Sequence, residues 1–234
     1  MKTADDFLEG QIILIDKPLT WSSFQAVNKL KYLLKRKFDL PKKFKIGHTG
    51  TLDPLASGLL IICTGKFTKK ITEIQSQTKE YTGTILVGAT TPSYDLETEI
   101  DATFPTEHIS EQLIQRTTEL FLGEIDQKPP VFSAIKKDGK RLYEHAREGS
   151  EVEIATRKTT IYEFEITRVA LPEIDFRVQC SKGTYIRSLA YDFGKALQSG
   201  AHLTALRRTK IGDFDVKNAV TPNDFEQQIM ALTL

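Results

Sequence analysis

One carboxylate in this sequence stands in an unusual frame. Asp53 lies in "IGHTGTLDPLASGLL", residues 46–60, just before an apolar run. Pro54 follows it and biases its backbone away from helical angles. Gly47, Gly50 and Gly58 permit tight turns or the close approach of another backbone. A carboxylate on so stiff a loop can act as a positioned base or nucleophile. The same "LDP" is also an ordinary turn signal. No other acid falls between residues 46 and 72, so a paired-carboxylate mechanism has no local partner.

Other chemistries fit poorly. "GLLIICTGKF" has the wrong glycine spacing for a phosphate loop, and Phe67 stands where a magnesium-binding hydroxyl belongs. Neither Cys63 nor Cys180 has a Cys or His partner at zinc-ligand spacing. A triad of Ser57, His48 and Asp53 lacks a nucleophile elbow. No metal and no cofactor are expected.

The elements that must position Asp53 can be read around it. "QIILID" predicts a buried strand. Residues 22–36 carry Phe24, Val27, Leu30 and Leu34 at helical spacing, with Ser22 or Ser23 as cap. A strand follows the motif near 59–64, and "KEYTGTILVGAT" predicts another. "TTIYEFEITRVAL" and "EIDFRVQCSKG" predict a hairpin through "LPE". "TYIRSLAYDFGKAL" predicts a helix capped by Thr184, and a last helix begins at Thr221 and Pro222. Residues 128–150, "KPPVFSAIKKDGKRLYEHAREGS", hold two prolines, a basic turn and a short helix ending at Gly149, and read as an inserted arm. Strands that follow one another directly favour α+β with a mixed, mainly antiparallel central sheet flanked by helices.

Composition narrows the class. At 234 residues, 40% hydrophobic and 27% charged, the chain suits a globular protein. Its net charge of +1 hides basic stretches at 29–45, 136–147 and 207–210. These suit either solvated faces or a polyanion partner. Two distant cysteines imply buried free thiols and a reducing compartment. No apolar run reaches membrane-span length, and the acidic N-terminus has no leader-like core. A cytoplasmic location is expected.

Six collinear motifs then resemble one family. "GHTGTLDPLASGLL" resembles the catalytic motif of the TruB family of tRNA pseudouridine synthases. "IDKPLTWSS" is similar to its Lys-Pro motif, "KEYTGTILVG" to its tyrosine motif, and "PPVFSAIKKDGKRLYEHAREG" to its RNA-gripping arm. "CSKGTYIRSLAYDFG" is similar to its arginine motif, and "GAHLTALRRTKIG" to its leucine-arginine motif. The resemblance implies a single pseudouridine synthase catalytic domain over residues 1–234, with the arm at about 128–150. It implies isomerisation of uridine 55 in the tRNA T-loop, without cofactor, by a monomer needing no membrane or obligate protein partner.

The resemblance also assigns roles. Asp53 is the catalytic carboxylate. Tyr81 stacks on the uracil; by itself it reads as a core aromatic. Arg187 pairs with Asp53; by itself it reads as a helix surface charge. His48 fills the space the flipped base leaves, and Leu206 lines an apolar wall. Lys17 and Pro18 shape the site. Lys136, Lys137, Lys140, Arg141 and Arg147 of the arm, with Arg207 and Arg208, contact RNA. The basic run 35–45 is a further candidate, longer than the family's usual spacing there. Some twenty residues follow "RRTKIGDF", too few for the PUA domain that many members carry. The rival expectations are a non-catalytic RNA-binding protein on the same scaffold and a guide-dependent synthase.

Overall fold

A computed structural model describes residues 3–133, 135–137, 139–148 and 152–232, and the chain divides into two compact units. Residues 1–81 and 207–234 form the first, and residues 82–206 the second.

The first unit starts with α1 (Ala4–Glu9), closed by a Thr3–Asp6 capping box, and β1 (Ile12–Lys17). Helix α2 (Ser23–Phe38) is longer than expected. Ser22, not Ser23, caps it, in a capping box with Gln25. Short β2 (Ile46–His48) precedes the Asp53 loop, and β3 (Ala56–Thr64) follows it. β3 pairs antiparallel with β1 (Lys17 opposite Gly58, Ile12 opposite Cys63) and with β2 (Ile46 opposite Thr64). Its unbroken apolar run is explained by burial on both faces. Leu60 and Ile62 pack with Phe7, Leu30 and Leu34, whereas Leu59, Ile61 and Cys63 pack with Ile74 and Ile211. A 3-10 turn (Gly65–Lys70) and α3 (Ile71–Ser76) lead into β4 (Lys79–Val87), whose first three residues close this part of the unit.

In the second unit β4 continues to a two-residue pair, β5 (Ala89–Thr90) and β6 (Ala102–Thr103). α4 (Glu111–Glu119) and β7 (Gly123–Gln127) follow. The arm begins with a small antiparallel ribbon, β8 (Lys136–Lys137) and β9 (Lys140–Arg141), and α5 (Leu142–Arg147). Gly149, expected to end that helix, lies outside the described residues. The expected hairpin is present as β10 (Arg157–Ala170) and β11 (Glu173–Cys180). One of its faces joins a cluster of Phe121, Phe164, Phe176 and Phe193. The other carries ion pairs of Arg177 with Glu163 and Glu165. Here α6 (Ile186–Ala196) precedes β12 (Ala201–Ile211), and the strand order runs from β12 through β4, β11 and β10 to β7.

The last five residues of β12 belong to the first unit, beside β3. There Gly58 has φ +102°, and a Cβ on it would lie 2.3 Å from the Arg208 carbonyl oxygen. Only glycine lets the two backbones come that close. β13 (Phe214–Asp215) pairs with the end of β12, and α7 (Pro222–Met230), capped by Thr221 with Pro222 in its first turn, packs on α2. Both cysteines are buried free thiols, as expected. The architecture is the α+β arrangement with a mainly antiparallel sheet that the sequence predicts.

Candidate active site

The Asp53 loop is held by its peptide groups. Thr49 N–H donates to the Ile61 carbonyl at 3.0 Å, and Ala56 N–H to the Asp53 carbonyl at 3.0 Å. Thr20, in a left-handed conformation rare for threonine (φ 69°), donates its N–H to the Pro54 carbonyl at 2.8 Å. The Ser23 hydroxyl accepts from Leu52 N–H at 2.8 Å and donates to the Leu52 carbonyl at 3.1 Å. Arg208 donates to the Gly50 carbonyl at 3.2 Å and the Leu59 carbonyl at 2.8 Å. Asp53 itself is half-buried at the head of β3.

Two titratable groups report the electrostatics around this loop. Lys17 is fully buried, and its Nζ donates to the carbonyls of Pro18 (2.9 Å) and Trp21 (2.6 Å). Burial lowers its pKa to about 8; the Asp53 carboxylate pulls the other way and the Arg208 guanidinium adds to the lowering. His48 is also shifted down, chiefly by burial, with the Arg208 guanidinium contributing. Gly50 N–H donates to its Nδ1 at 3.3 Å, a bond that only the unprotonated nitrogen can accept. A neutral ring with Nδ1 accepting carries its proton on Nε2.

Adjacent arginines on β12 divide the work. Arg207 forks onto Asp16 at 3.0 and 2.6 Å and stays 40% exposed. Arg208, expected among the RNA contacts, is only 2% exposed and spends its guanidinium on loop carbonyls. That geometry makes it a positioning residue. Alternation along the strand turns neighbouring side chains to opposite faces. Tyr81 is 9% exposed on β4, so its ring is enclosed.

In the second unit Arg187 is buried near the start of α6. It donates to the Ser93 carbonyl at 3.2 Å and the Phe132 carbonyl at 2.8 Å, with Asp95 Oδ2 3.7 Å from Nε. Asp95 sits in a loop that bonds to itself: the Thr91 and Ser93 hydroxyls donate to its carbonyl, and its carboxylate accepts from Glu97 N–H. This hydrogen-bonded stretch forms a shelf for Arg187. Thr184 does not cap α6; its hydroxyl bonds the Ser181 carbonyl and the Thr159 hydroxyl. The helix start is instead pinned by Gln127, fully buried on β7, which accepts from Tyr185 N–H at 2.8 Å and donates to the Tyr185 carbonyl at 3.0 Å. No local pattern of residues signals this link, because the partners lie 58 residues apart. Leu206 is half-buried on β12.

In the arm, Lys136 faces Arg141 and Lys137 faces Lys140 across the ribbon backbone, and Arg147 ends α5. Lys140 is exposed and paired with Glu148 at 3.1 Å. A cavity of about 460 Å³ is lined by Pro129, Ile135, Leu142 and Ile154, with Glu153 and Arg157 at its polar part. Among the described residues, no group of His, Cys, Asp or Glu is arranged to hold a metal ion. No helix among them is long and apolar enough to cross a membrane.

Comparison with known proteins bears on these parts together. Residues 35–186 match the family described as TruB family pseudouridylate synthase (N terminal domain), and residues 187–233 match the tRNA pseudouridylate synthase B C-terminal domain. The tRNA pseudouridine synthase B of Flavobacterium johnsoniae is 77% identical over 227 residues, covering 97% of this chain and 99% of that one. Its counterpart in Phocaeicola vulgatus is 54% identical, covering 95% and 94%. Among solved structures, a Cbf5-Nop10-Gar1 complex contains a chain that superposes with TM-score 0.73 at 28% identity over 97% of this chain; the match spans 56% of that longer chain.

Proposed function

The chain belongs to the TruB family of pseudouridylate synthases, isomerases that turn uridine into pseudouridine, and on that premise we propose that its substrate is uridine 55 in the T-loop of tRNA. The observation that carries the reading is Asp53 on a loop tied down through the peptide groups of residues 49–54, beside a buried lysine. Such a loop presents one carboxylate at one fixed place, which is what this isomerisation needs.

The reaction breaks the bond from the ribose carbon to N1 and forms one from the same carbon to C5. The C5 hydrogen leaves as a proton and N1 gains one, so atoms and charge balance with no oxidant or hydrolytic water. The uridine must first leave the folded loop, at a cost of about a few kcal/mol. Asp53 acts on the flipped nucleotide, Tyr81 stacks on its uracil, and Leu206 closes the apolar side. Arg187 pairs with Asp53 and aims it. His48, neutral with its proton on Nε2, fills the space the base leaves. Arg207 and the arm cations Lys136, Lys137, Lys140, Arg141 and Arg147 hold the phosphates.

The protein acts in this proposal without a guide RNA or protein partner, whereas the similar Cbf5 chain was solved as part of a Cbf5-Nop10-Gar1 complex. Purified protein, EDTA and an unmodified tRNA transcript tritiated at uracil C5 test both points. Tritium release mapped to the T-loop uridine, and abolished in Asp53→Asn with RNA binding retained, is expected. Tight binding without release would overturn the stand-alone enzyme.

A further inference from the structure

The first unit carries a second concentration of positive charge, away from the Asp53 loop. Over residues 29–45 there are eight basic residues and one acid, Asp39. Two of the cations are used internally: Lys29 pairs with Glu226 and Asn223, and Lys37 donates to the Met230 carbonyl. The other six, Lys31, Lys35, Arg36, Lys42, Lys43 and Lys45, have no carboxylate partner among the described residues. Lys35 and Arg36 stand in the last turn of α2, where the helix dipole by itself favours cations. Lys42, Lys43 and Lys45 have no such account. They lie on the connection from α2 to β2, and all three are exposed.

This connection is built to hold them outward. Phe38, Leu40 and Phe44 are buried in the first unit's core at 7%, 5% and 3% exposure, between and beside the lysines. Phe44 N–H closes a turn onto the Pro41 carbonyl at 2.9 Å, and the Lys45 carbonyl accepts from Gly65 N–H at 2.9 Å. A solvated loop needs no such anchoring, and like charges so close repel unless an anion screens them.

Its place along β3 says what part of a substrate it meets. Asp53 bonds to Ala56 at the start of β3, whereas Lys45 bonds to Gly65, just past its end. Eight steps of strand separate the two ends, roughly 26 Å at about 3.3 Å per residue. That is several base pairs of a duplex from the reacting nucleotide.

We infer that the 41–45 connection is a second RNA contact, which binds phosphates of the tRNA outside the T-arm. The inference rests on the proposed tRNA substrate. Its test is Lys42→Ala/Lys43→Ala/Lys45→Ala, with Lys→Arg at the same three positions as the charge-preserving control. Equilibrium binding is measured against salt for a full tRNA transcript and for an isolated T-arm hairpin. For full tRNA, the slope of log K against log salt becomes shallower by about two to three, at about one per lost phosphate contact. The Arg variant keeps the original slope, and the hairpin binds all three proteins alike. An unchanged slope for full tRNA, or an equal change for tRNA and hairpin, would overturn it. Because binding is read without turnover, failure of the synthase assignment appears separately, as absence of tritium release from the unaltered protein.

Discussion

Ser23 and Leu52 hold each other twice: one hydroxyl, on the first residue of α2, both accepts from the Leu52 N–H and donates to the Leu52 carbonyl. Both residues are buried. Ser23→Ala leaves the peptide polar groups of Leu52 without that partner, at a cost of about 1–3 kcal/mol. The loop next to Asp53 then loosens. Turnover falls about tenfold to a hundredfold while KM changes little, since only the placement of the carboxylate is lost. Steady-state kinetics beside thermal unfolding check it; a stability loss with intact kcat would separate this bond from catalysis.

Lys17 makes the site sensitive to alkaline pH. Its folded pKa of about 8 lies below its ordinary 10.5, so the unfolded chain holds the proton more tightly. Stability therefore rises with pH between those values, relative to a variant without the group. Urea unfolding of the unaltered protein and of Lys17→Met, compared at each pH, is expected to diverge by up to about 3 kcal/mol across that window. Activity runs the opposite way. Above pH 8 the positive charge beside Asp53 is lost, and kcat declines in the unaltered protein.

Arg208 is expected to act on the loop and not on RNA. Arg208→Met strips the Gly50 and Leu59 carbonyls of a charged donor, for about 2–4 kcal/mol of stability. The His48 pKa rises, because a neighbouring positive charge that lowers it has gone. NMR titration of the histidine ring reads that shift. The salt slope of RNA binding stays unchanged, which a phosphate-contacting arginine would not allow.

Gln127 pins the start of the helix that carries Arg187. Gln127→Ala frees both Tyr185 peptide groups and costs about 1–3 kcal/mol. Gln127→Glu keeps the acceptor for Tyr185 N–H but sets a carboxyl oxygen against the Tyr185 carbonyl in place of the donor. Turnover is expected to rank unaltered, then Glu, then Ala, with RNA affinity nearly constant. Equal turnover in all three would detach Gln127 from the positioning of Arg187.

Local features of this chain are legible in its sequence because they depend on neighbours. Ser22 and Gln25 spell a capping box, Thr221-Pro222 opens a helix, and alternating apolar residues mark the β10–β11 hairpin. Links across the chain are not. Ser23 meets Leu52 across 29 residues and Gln127 meets Tyr185 across 58, and nothing local in either partner shows the bond. Arg207 and Arg208 look alike as letters. Strand alternation sends them to opposite sides, but only the fold decides which side is covered. Asp53 stands out through its frame of glycines and proline, whereas the groups that fix the frame do not.

The grip on the Asp53 loop is made almost wholly through main-chain atoms: the carbonyls of residues 50, 52, 53 and 54 and the N–H groups of residues 49, 50 and 52. Every residue type but proline offers those same atoms. The exposed side chain of Thr51 is thus free to drift, or to be replaced by a spectroscopic label, without shifting the carboxylate two positions on. Ser23 and Arg208, distant in sequence, are thereby fixed letters, whereas Thr51, two residues from the carboxylate, is not.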